Sequence, residues 1–320
     1  MAKEGKVVVS ALIVAFLLIA SISILWPITE PYFPSNESWN GCSEIYKMVP
    51  NPITLYSYSE PLNAQQTSLL VIVGPTVPFE ETESARVLSF LDSGGDVLLA
   101  DDYGSGNGLL QSLNVSARFS GMPLADLYFY SKSPIFPLIS DFVQDPVTRN
   151  LTVVIMDHPS YIENTNMSST KALAFSSAFS FIDSSNSGAP LPGEKTQPYP
   201  VIATVQVGNG LLILVANAHM FTNDMIGLFD NGILFRNLLS LVNGAVTFDI
   251  VHLAKAPLTS PRITLREFLE HSVAALGSAQ AQLVITVVVI VVLSLAYLRK
   301  LRIGSRHREI PLQNQAYIAR

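Results

Sequence analysis

Six residues of this chain have side chains and spacings suited to chemistry: Asp101, Asp102, Ser105, His158, His219 and Asp224. Four of them closely follow apolar runs. Asp101-Asp102 follows Asp96–Ala100, His158 follows Leu151–Met156, and His219 follows Leu211–Ala216. Ligands of open α/β sheets bind at the carboxyl ends of the strands, so these positions share an expected edge. Asp101, Asp102, His158, His219 and Asp224 offer the carboxylate and imidazole donors of a Ca²⁺, Mn²⁺ or Zn²⁺ site. No pair among them has a diagnostic short spacing. Ser105, His219 and Asp224 supply the residue types of a serine hydrolase, yet Gly104-Ser-Gly106 lacks the wider Gly-x-Ser-x-Gly elbow. The reading we prefer is architectural. Asp101 caps the helix after it, Asn107 and Asn231 tie down loop backbone, and Asp230-Asn231 caps a late helix. Tyr128, Phe129, Tyr130 and Phe136 read as core or loop packing, with a partner-binding patch as the alternative. His252 and His271 are isolated and take no role.

The elements that must position these residues read as an α/β domain. Ser68–Val73 is a continuous apolar run closed by Gly74-Pro75, the pattern of a strand buried on both faces. Glu80–Asp92 reads as a helix with acidic residues in its first turn and Gly94 at its end. Asp96–Ala100 is a second buried strand and Gly106–Leu113 a second helix. This alternation predicts a mostly parallel sheet flanked by helices. Ile53–Tyr58, Leu151–Met156, Ala172–Phe175 and Val201–Val207 read as further strands. Gly208-Asn-Gly210 turns the chain into an antiparallel Leu211–Ala216. Asn231–Val242 reads as a helix and Ser184–Pro200 as a loop.

Two uncharged stretches flank this domain. Val7–Trp26 and the stretch ending at Leu298 each approach the ~20 residues that span a bilayer core. They predict a transmembrane helix at each end, over 7–26 and 279–298, with a cleaved signal peptide as the alternative for the first. Lys3 and Lys6 before the first run and the basic tail 299–320 after the second place both termini in the cytoplasm. Residues 27–245 then form an extracytoplasmic domain at the cell membrane, and 246–278 a juxtamembrane linker and helix, opened by the capping box at Thr264–Glu267. Residues 27–280 carry 11 Lys and Arg against 23 Asp and Glu. A domain this acidic is no partner for nucleic acid. Cys42 is the only cysteine, which excludes an internal disulfide framework and a cysteine-based zinc site. Asn36, Asn114, Asn150 and Asn166 stand in sequons and offer glycosylation sites on an external surface.

The ordered blocks Asn40–Tyr46, Val71–Pro75, Gly94–Gly104 with Gly106–Leu110, Ala174–Ser177, Tyr199–Val201, Gly208–Gly210 and Asn217–Asn223 followed by Asp230-Asn231 resemble domain-of-unknown-function family 4350, found in archaeal and bacterial membrane-anchored proteins. The resemblance covers about residues 36–242. It implies the class I glutamine amidotransferase-like fold and a place in a membrane-associated assembly with a MoxR-type ATPase system, but no activity. An amidotransferase-type enzyme places a nucleophilic cysteine on the turn after a strand such as Asp96–Ala100. Here that turn is Asp101-Asp102-Tyr103. The expectation is therefore a membrane-tethered binding or scaffold domain, more an adaptor than an enzyme, without a resident cofactor. Its partners would be a membrane or envelope protein and a cytoplasmic ATPase reached through the C-terminal tail. The alternative is a metal-dependent or serine hydrolase acting on an envelope component at the carboxyl edge.

Overall fold

A computed structural model describes residues 28–254, apart from 65–66, 167–168 and 192. In chain order the elements are α1 (Ser43–Lys47), β1 (Ile53–Leu55), β2 (Thr67–Val73), α2 (Glu81–Asp92), β3 (Asp96–Ala100), α3 (Gly106–Ser112), β4 (Arg118–Phe119), β5 (Leu124–Asp126), β6 (Leu138–Ile139), β7 (Asp141–Phe142), β8 (Val154–Ile155), β9 (Ile162–Glu163), β10 (Thr170–Phe175), β11 (Ser180–Ile182), β12 (Pro200–Val207), β13 (Gly210–Val215), a 3₁₀ turn (His219–Phe221), α4 (Asn231–Leu241) and β14 (Ala245–Asp249).

The eight-stranded sheet runs β1-β14-β2-β3-β13-β12-β10-β7. Its centre is built from residues that are apolar on both faces. Along β2, Leu69, Val71 and Val73 face one core, with Ile45 of α1 and Leu234, Phe235 and Leu238 of α4. Leu70 and Ile72 face the other, with Val87, Phe90 and Leu91 of α2 and Leu109 and Leu110 of α3. Successive side chains of a strand point to opposite faces, so an uninterrupted apolar run needs helices on both sides. The helix ends follow local chemistry. The Glu80 N–H donates to the Glu83 carboxylate at 2.8 Å as α2 begins. Gly94, at φ 90°, closes it while Gly95 N–H reaches Phe90 O at 3.0 Å.

Three expectations are corrected. The sheet is mixed, not mostly parallel. β1, β14, β2, β3 and β13 run parallel, while β13–β12, β12–β10 and β10–β7 are antiparallel. The Gly208-Asn209 turn makes β12 and β13 a hairpin, and Asn209 pins the turn by donating to Asp92 O at 2.8 Å. Second, the domain does not end at 245. Residues 245–249 form β14 inside the sheet between β1 and β2, and Ile250, His252 and Leu253 are buried beyond it. Third, no helix among the described residues is long and apolar enough to cross a membrane. The fold is an α/β domain with four described α-helices, and none of them supplies the spans that a two-pass placement at a cell membrane with an extracellular main domain requires. The expected spans 7–26 and 279–298, the helix after Thr264 and the tail 299–320 lie outside the described residues.

Candidate functional site

Parallel strands β2, β3 and β13 end side by side, and the turns that follow them carry the polar residues. Asp101 comes directly after β3 and is 2% exposed. Its carboxylate accepts the N–H groups of Asp102 (2.8 Å), Gly104 (2.9 Å) and Gly106 (2.7 Å). It thereby holds the first amide of α3, as the architectural reading expects. Burial pushes its pKa up to about 6, against the pull of the three amides.

Asn217, after β13, is fully buried and fastens three segments. Its Oδ1 accepts the N–H groups of Asp157 and Met220, both at 3.1 Å. Its Nδ2 donates to Asp157 O at 2.7 Å and to Asp102 Oδ2 at 3.3 Å. Two residues on, His219 Nδ1 lies 3.8 Å from Asp102 Oδ2. The Tyr32 hydroxyl lies 3.2 and 3.3 Å from the two ring nitrogens of His219. The interaction with Asp102 raises the His219 pKa against burial, with Asp157 and Asp224 adding to it. Burial and the nearby carboxylates likewise raise Tyr32. Gly74, at φ 60°, supports this arrangement, because a side chain there would collide with the Tyr32 ring.

Asp102 and His219 are thus brought together, while the other candidates are used elsewhere. The Ser105 hydroxyl donates to Val77 O at 2.9 Å. Asp224 is exposed and accepts from Thr222 Oγ1 at 2.7 Å. His158 pairs with the adjacent Asp157. A Ser105–His219–Asp224 relay is therefore not assembled. Among the described residues no three His, Cys, Asp or Glu side chains converge as a metal site. Cys42 is buried and its thiol pKa is raised by that burial, which leaves it unreactive. Asn107 and Asn231 do tie loop backbone. Asn107 exchanges two bonds with the Phe119 main chain, and Asn231 does the same with Ile155. Asp230 does not cap α4 with its side chain; its carboxylate instead accepts Thr152 and Val153 N–H.

The sequons separate by burial. Asn36 is fully buried, with its amide donating to Glu30 O and Asn40 Oδ1. Glycosylation there would break this packing. Asn114, Asn150 and Asn166 are exposed.

The aromatic cluster is where the sequence misleads most. Tyr128 is 70% exposed, Phe129 48% and Tyr130 37%, so these side chains are not core. Phe179, 43% exposed, joins them. Its ring stands edge-on to Tyr128 at 5.0 Å and near-parallel to Phe129 at 6.2 Å. Both loops are held by fully buried Asp126. Its Oδ1 accepts Tyr128 and Phe129 N–H, and its Oδ2 accepts the Ser177 and Ser180 hydroxyls at 2.5 and 2.6 Å. An Asp two residues before a loop aromatic is an Asx-turn signal that was available in the sequence. The surface extends through half-buried Phe136, whose ring meets that of His158 at 5.7 Å, to Tyr103, whose hydroxyl donates to His158 O at 2.9 Å.

A second buried cluster also escaped the sequence. The His252 ring, 1% exposed, lies between Asp249 (2.5 Å) and Glu83 (3.2 Å), stacked on Phe79 at 3.4 Å. Tyr58 donates to the same Asp249 oxygen at 3.3 Å. Burial alone would lower the His252 pKa, but the two carboxylates outweigh it and the net shift is upward.

The family model described as Domain of unknown function (DUF4350) matches residues 34–239. An uncharacterized protein in the nifH1 5′ region of Methanothermococcus thermolithotrophicus is 29% identical over 95 residues, covering 28% of this chain and 95% of that protein. Among solved structures, the mmIFT52 N-terminal domain aligns with a TM-score of 0.44 at 16% identity, covering 60% of this chain and 96% of that one. A putative ThuA-like protein from Bacteroides uniformis aligns with a TM-score of 0.32 at 11% identity, covering 54% and 67%.

Proposed function

The chain belongs to the DUF4350 family, a domain of unknown function, and we propose that it is a recognition domain for a protein partner within a larger assembly, not an enzyme. One observation carries this reading. Tyr128, Phe129, Tyr130 and Phe179 stand exposed on two loops that a single buried carboxylate holds in place. Exposed apolar clusters mark interaction sites, and aromatic anchors dominate protein interfaces. Loops fixed before binding lose little entropy on docking. The partner that suits such a surface presents an apolar segment. The polar residues of the carboxyl edge support the same reading, since Asp101, Asn217 and Ser105 are engaged in holding backbone.

The test is affinity capture with the full chain and with a Tyr128→Ser/Phe179→Ser double variant. The variant should lose the specific partner, weakening it by about 2 kcal/mol or more, and keep its melting temperature. A partner retained at wild-type strength would refute the assignment. A second reading, acid–base chemistry on a bound ligand, is favoured by the approach of Asp102 and Tyr32 to partly exposed His219. It requires His219→Ala to abolish a turnover that the aromatic variant leaves intact.

A further inference from the structure

On the side of the sheet covered by α1 and α4 lies a cleft of about 370 Å³, lined by Glu44, Lys47, Met48, Ile226, Gly227, Phe229, Gly232 and Arg236. Two features of this cleft have no architectural explanation. Phe229 is 55% exposed and sits at φ 46°, in the left-handed region that bulky side chains avoid and that Asn or Gly adopts at little cost. Its neighbours explain the backbone, since Asp230 and Asn231 lock onto the main chain at 152–155, but they do not explain a phenylalanine there. Strain of this kind is held in place by the surrounding structure and clusters at ligand-binding and active sites. The second feature is charge. Lys47 is matched by Glu44 at 3.0 Å and Glu37 at 3.8 Å. The Arg236 guanidinium has no ion pair or side-chain hydrogen bond among the described residues. The exposed Arg236 side chain lines the cleft beside Gly232, where an added Cβ would lie 3.5 Å from both Arg236 Nη1 and Met48 Cε.

We propose that this cleft is a binding site for a small amphipathic carboxylate, an aryl or short alkyl acid. Its apolar body packs on Met48, Ile226 and Phe229, and its carboxylate pairs with the fork of Arg236. The volume falls in the range of small-molecule sites, and a bidentate Arg–carboxylate pair supplies orientation. The single guanidinium matches one carboxylate charge and leaves the second charge of a phosphate without a partner. The site is separate from the aromatic surface and does not depend on the function assigned to it.

Calorimetric titration of the full chain with 3-phenylpropionate, 3-phenylpropionamide and inorganic phosphate tests the site. The acid should bind saturably, the amide at least about tenfold more weakly, and phosphate without saturation. Arg236→Gln should weaken the acid about tenfold. Phe229→Asn should weaken it while raising the melting temperature by about 2–4 °C, because the strained aromatic is gone. Gly227→Leu, at a lining position where an added Cβ meets nothing within 4 Å, is the blocking variant if Phe229→Asn fails to fold, and it should abolish saturable acid binding. Absence of saturable acid binding, equal affinity for acid and amide, or affinity unchanged in Arg236→Gln would overturn the proposal.

Discussion

Asp101 shows how far a single residue can be read from its neighbours. A carboxylate just before Gly104-Ser-Gly106 is a capping signal, and the structure gives it three amides to hold. Asp101→Ala leaves those amides without a partner in a buried turn and should cost about 3 kcal/mol in chemical denaturation. His252 shows the opposite. Its partners Asp249 and Glu83 lie 3 and 169 positions away, and no local pattern joins them. Tyr32 reaches His219 across 187 positions in the same way. These groups set the pH response. A histidine whose folded pKa is raised contributes stability that is full below its unfolded pKa of about 6.5 and is lost as pH rises through the folded value. His252 and His219 are both raised. Asp101, raised to about 6, works in the same direction: its contribution is full below about 3.9 and lost as pH rises through 6. Melting temperature should therefore decline from pH 5 to pH 8, and His252→Gln should flatten the upper part of that decline. A melting temperature that climbs over this range would contradict the assignment of charge at these sites.

Elements were legible where a periodicity had room to repeat. β2, α2, β3 and α4 each span at least five residues of one pattern, and each lies where its sequence placed it. β4, β6, β7 and β9 have two residues each, too few for any alternation to be counted, and the strand expected over Leu151–Met156 keeps only Val154–Ile155 as β8. β14 was hidden for another reason. Ala-Val-Thr-Phe-Asp looks like the start of a connection to the prolines that follow, yet it pairs with β1 and β2 on its two sides. It also brings Asp249 to His252 and Tyr58. Ending the chain at Gly244 should therefore expose β2, detach β1 and strip the His252 cluster. We expect loss of cooperative unfolding in a thermal scan, whereas ending it at 254 should preserve the transition. A cooperative melt in the shorter chain would show that β14 is an accessory strand. The antiparallel half of the sheet was foreseen only at the Gly208-Asn209 hairpin, because β10 and β7 join it through contacts distant in sequence.

For the molecule as a whole, the account rests on a division of labour. The carboxyl edge of the sheet is a polar frame, and the exposed aromatic loops beside it are the surface we propose for a partner. The frame is legible in the sequence, whereas the aromatics read first as core or loop packing and only second as a partner-binding patch, since hydrophobicity alone does not reveal which side of a loop faces water. Asparagines 114, 150 and 166 are exposed, and buried Asn36 should remain unmodified in the folded protein. Asp126→Ala belongs to this scale, because one change frees both loops. It should weaken partner binding more than Tyr128→Ser alone and lower stability by about 3 kcal/mol, measured by paired binding and denaturation curves. Hydrogen–deuterium exchange of the full chain with and without its captured partner tests the central claim most directly. The account predicts protection concentrated at 127–131 and 177–180, with little change at 217–224. Protection confined to 217–224 and 101–105, with the aromatic loops exchanging freely, would contradict it.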